Sequence, residues 1–267
     1  MNIQGKSSIY HKLVYEVRYP QGMIYLDRCG STCNRITAMD PNWMIKENSI
    51  NPQNAPMFHL SSGIQFNFGP DKFSFSLDQP INKEAALGKQ DIENFIAQVH
   101  SVSEIVQDQL ELNKFSREGF RVWYLFSSSS KEESRKWISQ LGVFSISPSV
   151  SSAFNGTIDS EGYTLVIKGK ERMFRISVNP VEKLETLDTG NASLRTLPRN
   201  LPRAQKEAAI KQWKAKNRLL ANPEFAVMID VDAYIEDPYS IASREFINDS
   251  LDLMESSLPN ALNGEKL

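Results

Sequence analysis

The sequence predicts an α+β fold made of two units, each with a long amphipathic helix lying on an antiparallel sheet. Two segments space their apolar residues three and four apart, which indicates a helix with one buried face. Several shorter segments alternate apolar and polar residues, which indicates half-buried strands. Because each half has antiparallel strands followed by one long amphipathic helix, the pattern indicates a pseudo-duplication. The two sheets would then join into one curved sheet with both long helices packed on one face.

The N-terminal unit, which we place at residues 1–147, is predicted from its hairpins and from a long helix over 91–112. Residues 9–18 and 23–28 are predicted strands joined by a Pro-Gly turn. Residues 29–56 are predicted as a long loop with one short strand near 34–39. Period-two alternation over 64–77 predicts a β-hairpin whose aromatic face supports the helix. The unit closes with a strand over 120–126 and a short helix over 131–141.

The C-terminal unit, placed at residues 148–267, is predicted from the strands 163–168, 171–178 and 225–235 and from a basic insertion at 180–222. A helix over 238–258 follows, begun by Asp237-Pro238 and ended by Pro259. The alternative, in which both units form one joint domain, remains open.

Composition excludes several classes of function. The 267 residues carry a formal net charge of −2, with 40% hydrophobic and 23% charged residues, as expected of an ordinary globular protein. No signal peptide or membrane span is predicted, so we expect a cytoplasmic protein. Glycine-rich phosphate loops and nucleophile-elbow motifs do not occur, and we predict no cofactor. Cys29 and Cys33 form no zinc pattern, and we expect reduced thiols in a loop.

The most unusual composition lies at 195–218, where eight basic residues accompany one acid. A helix over 202–220 would carry most of them, with Trp213 available to stack on a base. The candidate nucleic-acid-binding residues are Arg195, Arg199, Arg203, Lys211, Trp213, Lys214 and Arg218. Three interpretations remain open: a phosphate-binding helix, a solvated insertion, or a helix that pairs with the acidic C-terminal segment.

Asp230 and Asp232 lie two residues apart on a predicted strand, so both carboxylates point to the same face. Paired carboxylates can hold Mg²⁺ for phosphodiester chemistry. The Glu and Lys that a metal nuclease also uses do not accompany them at a suitable spacing. The aspartate pair is therefore the weaker of the two candidate sites.

The Asp230-x-Asp232-x-Tyr234 strand, followed by a long C-terminal helix, resembles a sporadically distributed family of uncharacterised bacterial proteins. The resemblance implies a bacterial origin and brings no activity with it. Because the fold is well patterned and the sequence shows no catalytic constellation, we expect a non-enzymatic binding or scaffold protein, a subunit of a bacterial protein complex. The alternatives are a nucleic-acid-associated protein that uses the basic helix and a metal-dependent phosphodiesterase that uses the aspartate pair.

Overall fold

The computed structural model describes residues 1–20, 22–45, 50–78, 87–141, 162–183 and 224–263. Within them the strands are β1 (Asn2–Ile3), β2 (Lys6–Ser7), β3 (Ile9–Arg18), β4 (Trp43–Ile45), β5 (Ala55–His59), β6 (Gln65–Phe68), β7 (Lys72–Asp78), β8 (Arg117–Ser128), β9 (Tyr163–Lys168), β10 (Met173–Lys183) and β11 (Glu224–Glu236). The helices are α1 (Ile24–Met39), α2 (Lys89–Gln109), α3 (Lys131–Gln140) and α4 (Ser243–Asn263).

Nine of these strands form one antiparallel sheet in the order β4-β5-β6-β7-β3-β8-β11-β10-β9. In each half, a central strand (β3 or β8) leads into a shorter helix, then into antiparallel strands, then into a long helix. The last of those strands, β7 or β11, returns to lie beside the central strand. Strands β3 and β8 pair with each other at the middle of the sheet. The predicted α+β class and the duplicated arrangement are confirmed.

One face of the sheet holds the hydrophobic core. Alternate residues on the central strands are buried there, among them Tyr15, Phe75, Phe120 and Ile229. The long helices bury their apolar stripes in the same cluster, through residues such as Val102 and Leu251. Alternation along the strands sends every second side chain to the opposite face.

Several sequence predictions of element type and boundary were wrong. The strands expected at 23–28 and near 34–39 are parts of helix α1, which buries Tyr25, Cys29, Thr32, Cys33 and Ile36. The two cysteines are therefore buried helical thiols rather than loop residues.

The helix predicted over 91–112 is α2, at Lys89–Gln109. The helix predicted over 238–258 instead spans Ser243–Asn263. Asp237, the expected N-cap, has a positive φ of 49°, whereas an N-cap residue is typically extended, and Pro259 lies inside the helix rather than after it.

The boundary at 147/148 lies outside the described residues, and the insertion 180–222 lies outside them in part. Among the helices that are described, none combines the length and apolarity that a membrane crossing requires.

Candidate binding surface on the open sheet face

The face of the sheet that points away from the core, here called the open face, is polar and charged. None of the described helices packs on it. The strand register fixes which side chains share it, because paired residues point the same way. Its central part is formed by Lys12, Val14, Glu16 and Arg18 of β3, Arg117, Gly119, Arg121 and Trp123 of β8, Asp230, Asp232, Tyr234 and Glu236 of β11, and Arg175 of β10.

Two cross-strand ion pairs hold the centre of the open face. Nη2 of Arg117 donates to both carboxylate oxygens of Asp232, at 2.9 and 2.7 Å. Nε of Arg121 donates to Asp230 at 2.7 Å, and its Nη2 donates to the second oxygen. Such charge-assisted, two-pronged bonds fix the orientation of an arginine. The pair with Asp230 raises the pKa of Arg121 above its usual value.

Gly119 creates the space that the Arg117 side chain uses. A Cβ at position 119 would lie 2.8 Å from Nη1 of Arg117 and 3.0 Å from its Cζ. The guanidinium therefore folds back over the glycine and also lies over the Tyr234 ring, 4.8 Å from its centroid. Any larger residue at 119 would push Arg117 out of this position.

Glu16 connects several basic residues at one end of the open face. It accepts from Nε of Arg18 at 2.8 Å and from Nη1 of Arg117 at 3.2 Å. Nζ of Lys72 lies 3.7 Å from its second oxygen. One carboxylate thus neutralises part of three positive charges.

A groove of about 470 Å³ runs across the open face. Its walls carry four arginines and three carboxylates. The lining residues are Val14, Glu16, Arg18, Arg117, Gly119, Arg121, Arg175, Asp232, Tyr234 and Glu236. Arg175 is exposed, and in the described part of the chain it forms no ion pair. It is the groove arginine best placed to meet an incoming group.

The aspartates proposed as metal ligands lie on this face, on one strand, as the sequence predicts. Both carboxylates, however, are bound by arginine guanidinium groups, which compete with a cation for the same oxygens. Burial raises the pKa of Asp232, and Arg117 and Arg121 oppose that shift. No cluster of three metal-ligating side chains occurs among the residues that the structure describes.

The seven candidate nucleic-acid-binding residues, from Arg195 to Arg218, all lie outside the described residues. The interpretations of the basic segment therefore stay predictions. Sequence reasoning found the aspartate pair but missed Arg117 and Arg121, which are its partners. Their alternation around Gly119 was visible in the sequence, but only the pairing register of β8 with β11 brings them to the aspartates.

No family model and no curated protein sequence matches the chain. One solved structure that aligns with it is a rolling circle replication initiator protein from Geobacillus stearothermophilus, with a TM-score of 0.26 and 8% identity. The alignment covers 94% of this chain and 85% of that one.

Proposed function

We propose that this protein is a binding or scaffold protein that engages another protein through the open face of its sheet. The observation that carries the proposal is the groove of about 470 Å³, which is lined by charged side chains and lies opposite the core. An antiparallel sheet needs only one face for its core, so the other is available for a partner.

The charge balance of the groove favours a protein over a polyanion. A phosphate backbone is bound by a surplus of lysine and arginine. Here Glu16, Asp232 and Glu236 offset most of the charge of the four groove arginines. A surface that carries both signs at fixed positions complements a protein surface, which also carries both.

The side chains of the open face are already held in place. Ion pairs fix Arg117 and Arg121, and Trp123 lies beneath both Lys12 and Arg121, 5.2 and 5.4 Å from their charged groups. Ordering a long side chain on binding costs about 0.5–1.5 kcal/mol, and prior ordering removes that cost. A pre-ordered charged face therefore suits specific recognition.

The test is a charge reversal at Arg175, whose side chain is exposed and lines the groove. A partner captured from cells of the source organism by the full chain would be identified, and its Kd measured by calorimetry. We expect Arg175→Glu to weaken binding at least about tenfold, which is roughly 1.4 kcal/mol.

The matched control is Arg244→Glu, since Arg244 is also exposed but lies on helix α4, on the core side of the sheet. It should leave the Kd unchanged. If Arg175→Glu binds the partner as tightly as Arg244→Glu and wild type do, the open face is not the binding site. A chain that captures no partner would contradict the proposal as a whole.

A second candidate function, nucleic-acid association, is favoured by the eight basic residues against one acid at 195–218. Fluorescence anisotropy with labelled DNA and RNA should then show affinity that falls steeply with salt. Reversal of Lys211, Lys214 and Arg218 to Glu should abolish it, while Arg175→Glu should not. If binding survives the triple reversal, the basic segment is not the nucleic-acid-binding site.

A further inference from the structure

A serine and a histidine at the end of β5 and in the turn that follows it meet an aspartate that lies just after helix α1. Oγ of Ser62 lies 2.7 Å from Nδ1 of His59, and Nε2 of His59 lies 2.9 Å from Oδ2 of Asp40. From this geometry we propose that Ser62 is an acyl-accepting nucleophile with His59 as its base, in a site that hydrolyses small carboxylic esters. The proposal is independent of the open face.

The hydrogen bonds assign the proton positions that this chemistry needs. Asp40 is the acceptor for backbone and side-chain N–H groups of Asn42, both at 2.9 Å, and for Nε2 of Gln98 at 3.3 Å. The bond with His59 lowers the pKa of Asp40 to about 2, so its carboxylate is ionised at neutral pH. Nε2 of His59 therefore carries the proton, and Nδ1 presents a lone pair to the Ser62 hydroxyl.

The imidazole is held rigidly. His59 is 3% exposed, and the Trp43 ring meets it edge to face at 5.1 Å between centroids. Trp43 is itself fixed by a bond from Nε1 to Gln98 at 2.9 Å. Asp40 is the charged group in contact with His59 in the described part of the chain. A base oriented by a third group is the arrangement that activates a serine.

Ser62 is reachable from solvent although His59 is buried. It is half-buried in a turn whose other members, Leu60, Ser61 and Gly63, are exposed. Gly63 has a φ of +74°, and its N–H donates to the carbonyl of His59 at 2.9 Å, which closes the turn. Leu60 is 59% exposed and offers an apolar contact to a short acyl chain. Because one apolar side chain is enough to contact a short acyl chain, we infer small esters as the substrates.

The reaction has two halves. Oγ of Ser62 attacks the carbonyl carbon while its proton moves to Nδ1 of His59, and the tetrahedral intermediate expels the alcohol, which takes that proton. Water then attacks the acyl-serine and gives a proton to His59. Collapse releases the carboxylic acid and returns the proton to Oγ of Ser62. The sum is ester plus water to acid plus alcohol.

The test uses the full chain with a fluorophosphonate probe and with p-nitrophenyl acetate. We expect a covalent adduct on the peptide that contains Ser62 and a slow steady release of p-nitrophenol. Ser62→Ala should abolish the adduct and lower the release about a hundredfold, the typical contribution of such a base–nucleophile pair. Ser61→Ala, one residue away and 3.4 Å from the same nitrogen in wild type, should keep both.

Asp40 acts as a positioning residue, and its test is a pH profile. Asp40→Asn removes the negative charge beside His59, so the acid limb of the labelling rate should move to lower pH. Circular dichroism would confirm that each variant is folded. A wild-type chain that is not labelled at Ser62, or equal hydrolysis by wild type and Ser62→Ala, would overturn the proposal.

Discussion

At the scale of single residues, Glu118 is the most unusual ionisable group of the core. It lies on the core face of β8, 2% exposed, and accepts a 2.7 Å hydrogen bond from the Tyr15 hydroxyl. Burial raises its pKa to about 7, although Tyr15, the N–H of Ala242 and the charge of Arg172 act in the opposite direction. Glu245 adds a small repulsion. Ionisation of Glu118 therefore destabilises the folded protein at any pH at which it occurs.

The sign of the resulting pH dependence follows from proton binding. Between the usual pKa of about 4.5 and the folded value of about 7, folded Glu118 keeps a proton that the unfolded chain has lost. The free energy of unfolding must then fall as pH rises through this window. The loss is on the order of 3 kcal/mol above pH 7, since each pKa unit corresponds to about 1.4 kcal/mol.

We expect Glu118→Gln, which stays neutral, to flatten this part of the profile and to be more stable than wild type at pH 8. Urea denaturation at pH 5 and pH 8 measures the difference. The control is Glu132→Gln, an exposed glutamate of α3, which should leave the slope unchanged. A wild type that gains stability from pH 5 to pH 8 relative to Glu118→Gln would contradict the assignment.

At the scale of elements, Pro259 lies inside helix α4, which continues to Asn263 and buries Leu262 at its far end. Proline lacks the N–H that would bond the carbonyl of residue 255, and its ring crowds the preceding turn, at a cost of about 3 kcal/mol. The burial of Leu262 explains why the helix continues past the proline. The sequence prediction ended the helix at Pro259 because it considered only that proline interrupts helices.

Pro259→Ala should therefore raise the free energy of unfolding by about 2 kcal/mol, after about 1 kcal/mol is lost to the freer unfolded chain. Chemical denaturation checks this directly. Pro238→Ala, in the turn before α4, provides the comparison. It gives the unfolded chain the same additional freedom but restores no helical hydrogen bond. Destabilisation by Pro259→Ala would mean that a kink at Pro259 is required for packing.

Most strands and the two long helices were predictable because each displays its period over many residues. Helix α1 was missed although its buried positions follow helical spacing from Tyr25 to Ile36. Three of those five positions are Cys29, Thr32 and Cys33, which are small or polar and do not mark an apolar stripe. The helix could not be recognised from an apolar stripe, because these three positions are buried by tertiary packing rather than by their own hydrophobicity.

The candidate sites show the same limit. Asp230 and Asp232 could be placed on one face from their spacing alone. Their arginine partners lie more than a hundred residues away, and only strand pairing joins them. Similarly, Asp40 lies between α1 and β4, and the pairing of β4 with β5 brings it to His59. Contacts that depend on register are not contained in a local pattern.

At the scale of the whole molecule, the two halves share their core. At the seam between β3 and β8, Leu13 pairs with Val122 and Tyr15 with Phe120, all fully buried. Helices α2 and α4 contact each other above it. Exposing that seam would cost roughly 25 cal/mol for each Å² of apolar surface uncovered. Neither half can unfold without uncovering the core of the other.

We therefore expect one cooperative unfolding transition, despite a chain longer than the usual two-state domain. Trp43 reports on the first half and Trp137 on the second, and both are buried. Two variants, each retaining one of them with the other tryptophans changed to Phe, should give urea curves with the same midpoint and slope. Calorimetric and van't Hoff enthalpies of the wild type should agree. An earlier transition at Trp137 would instead show that the halves are independent domains, because the half that begins with β8 could then unfold while the sheet around Trp43 stays intact.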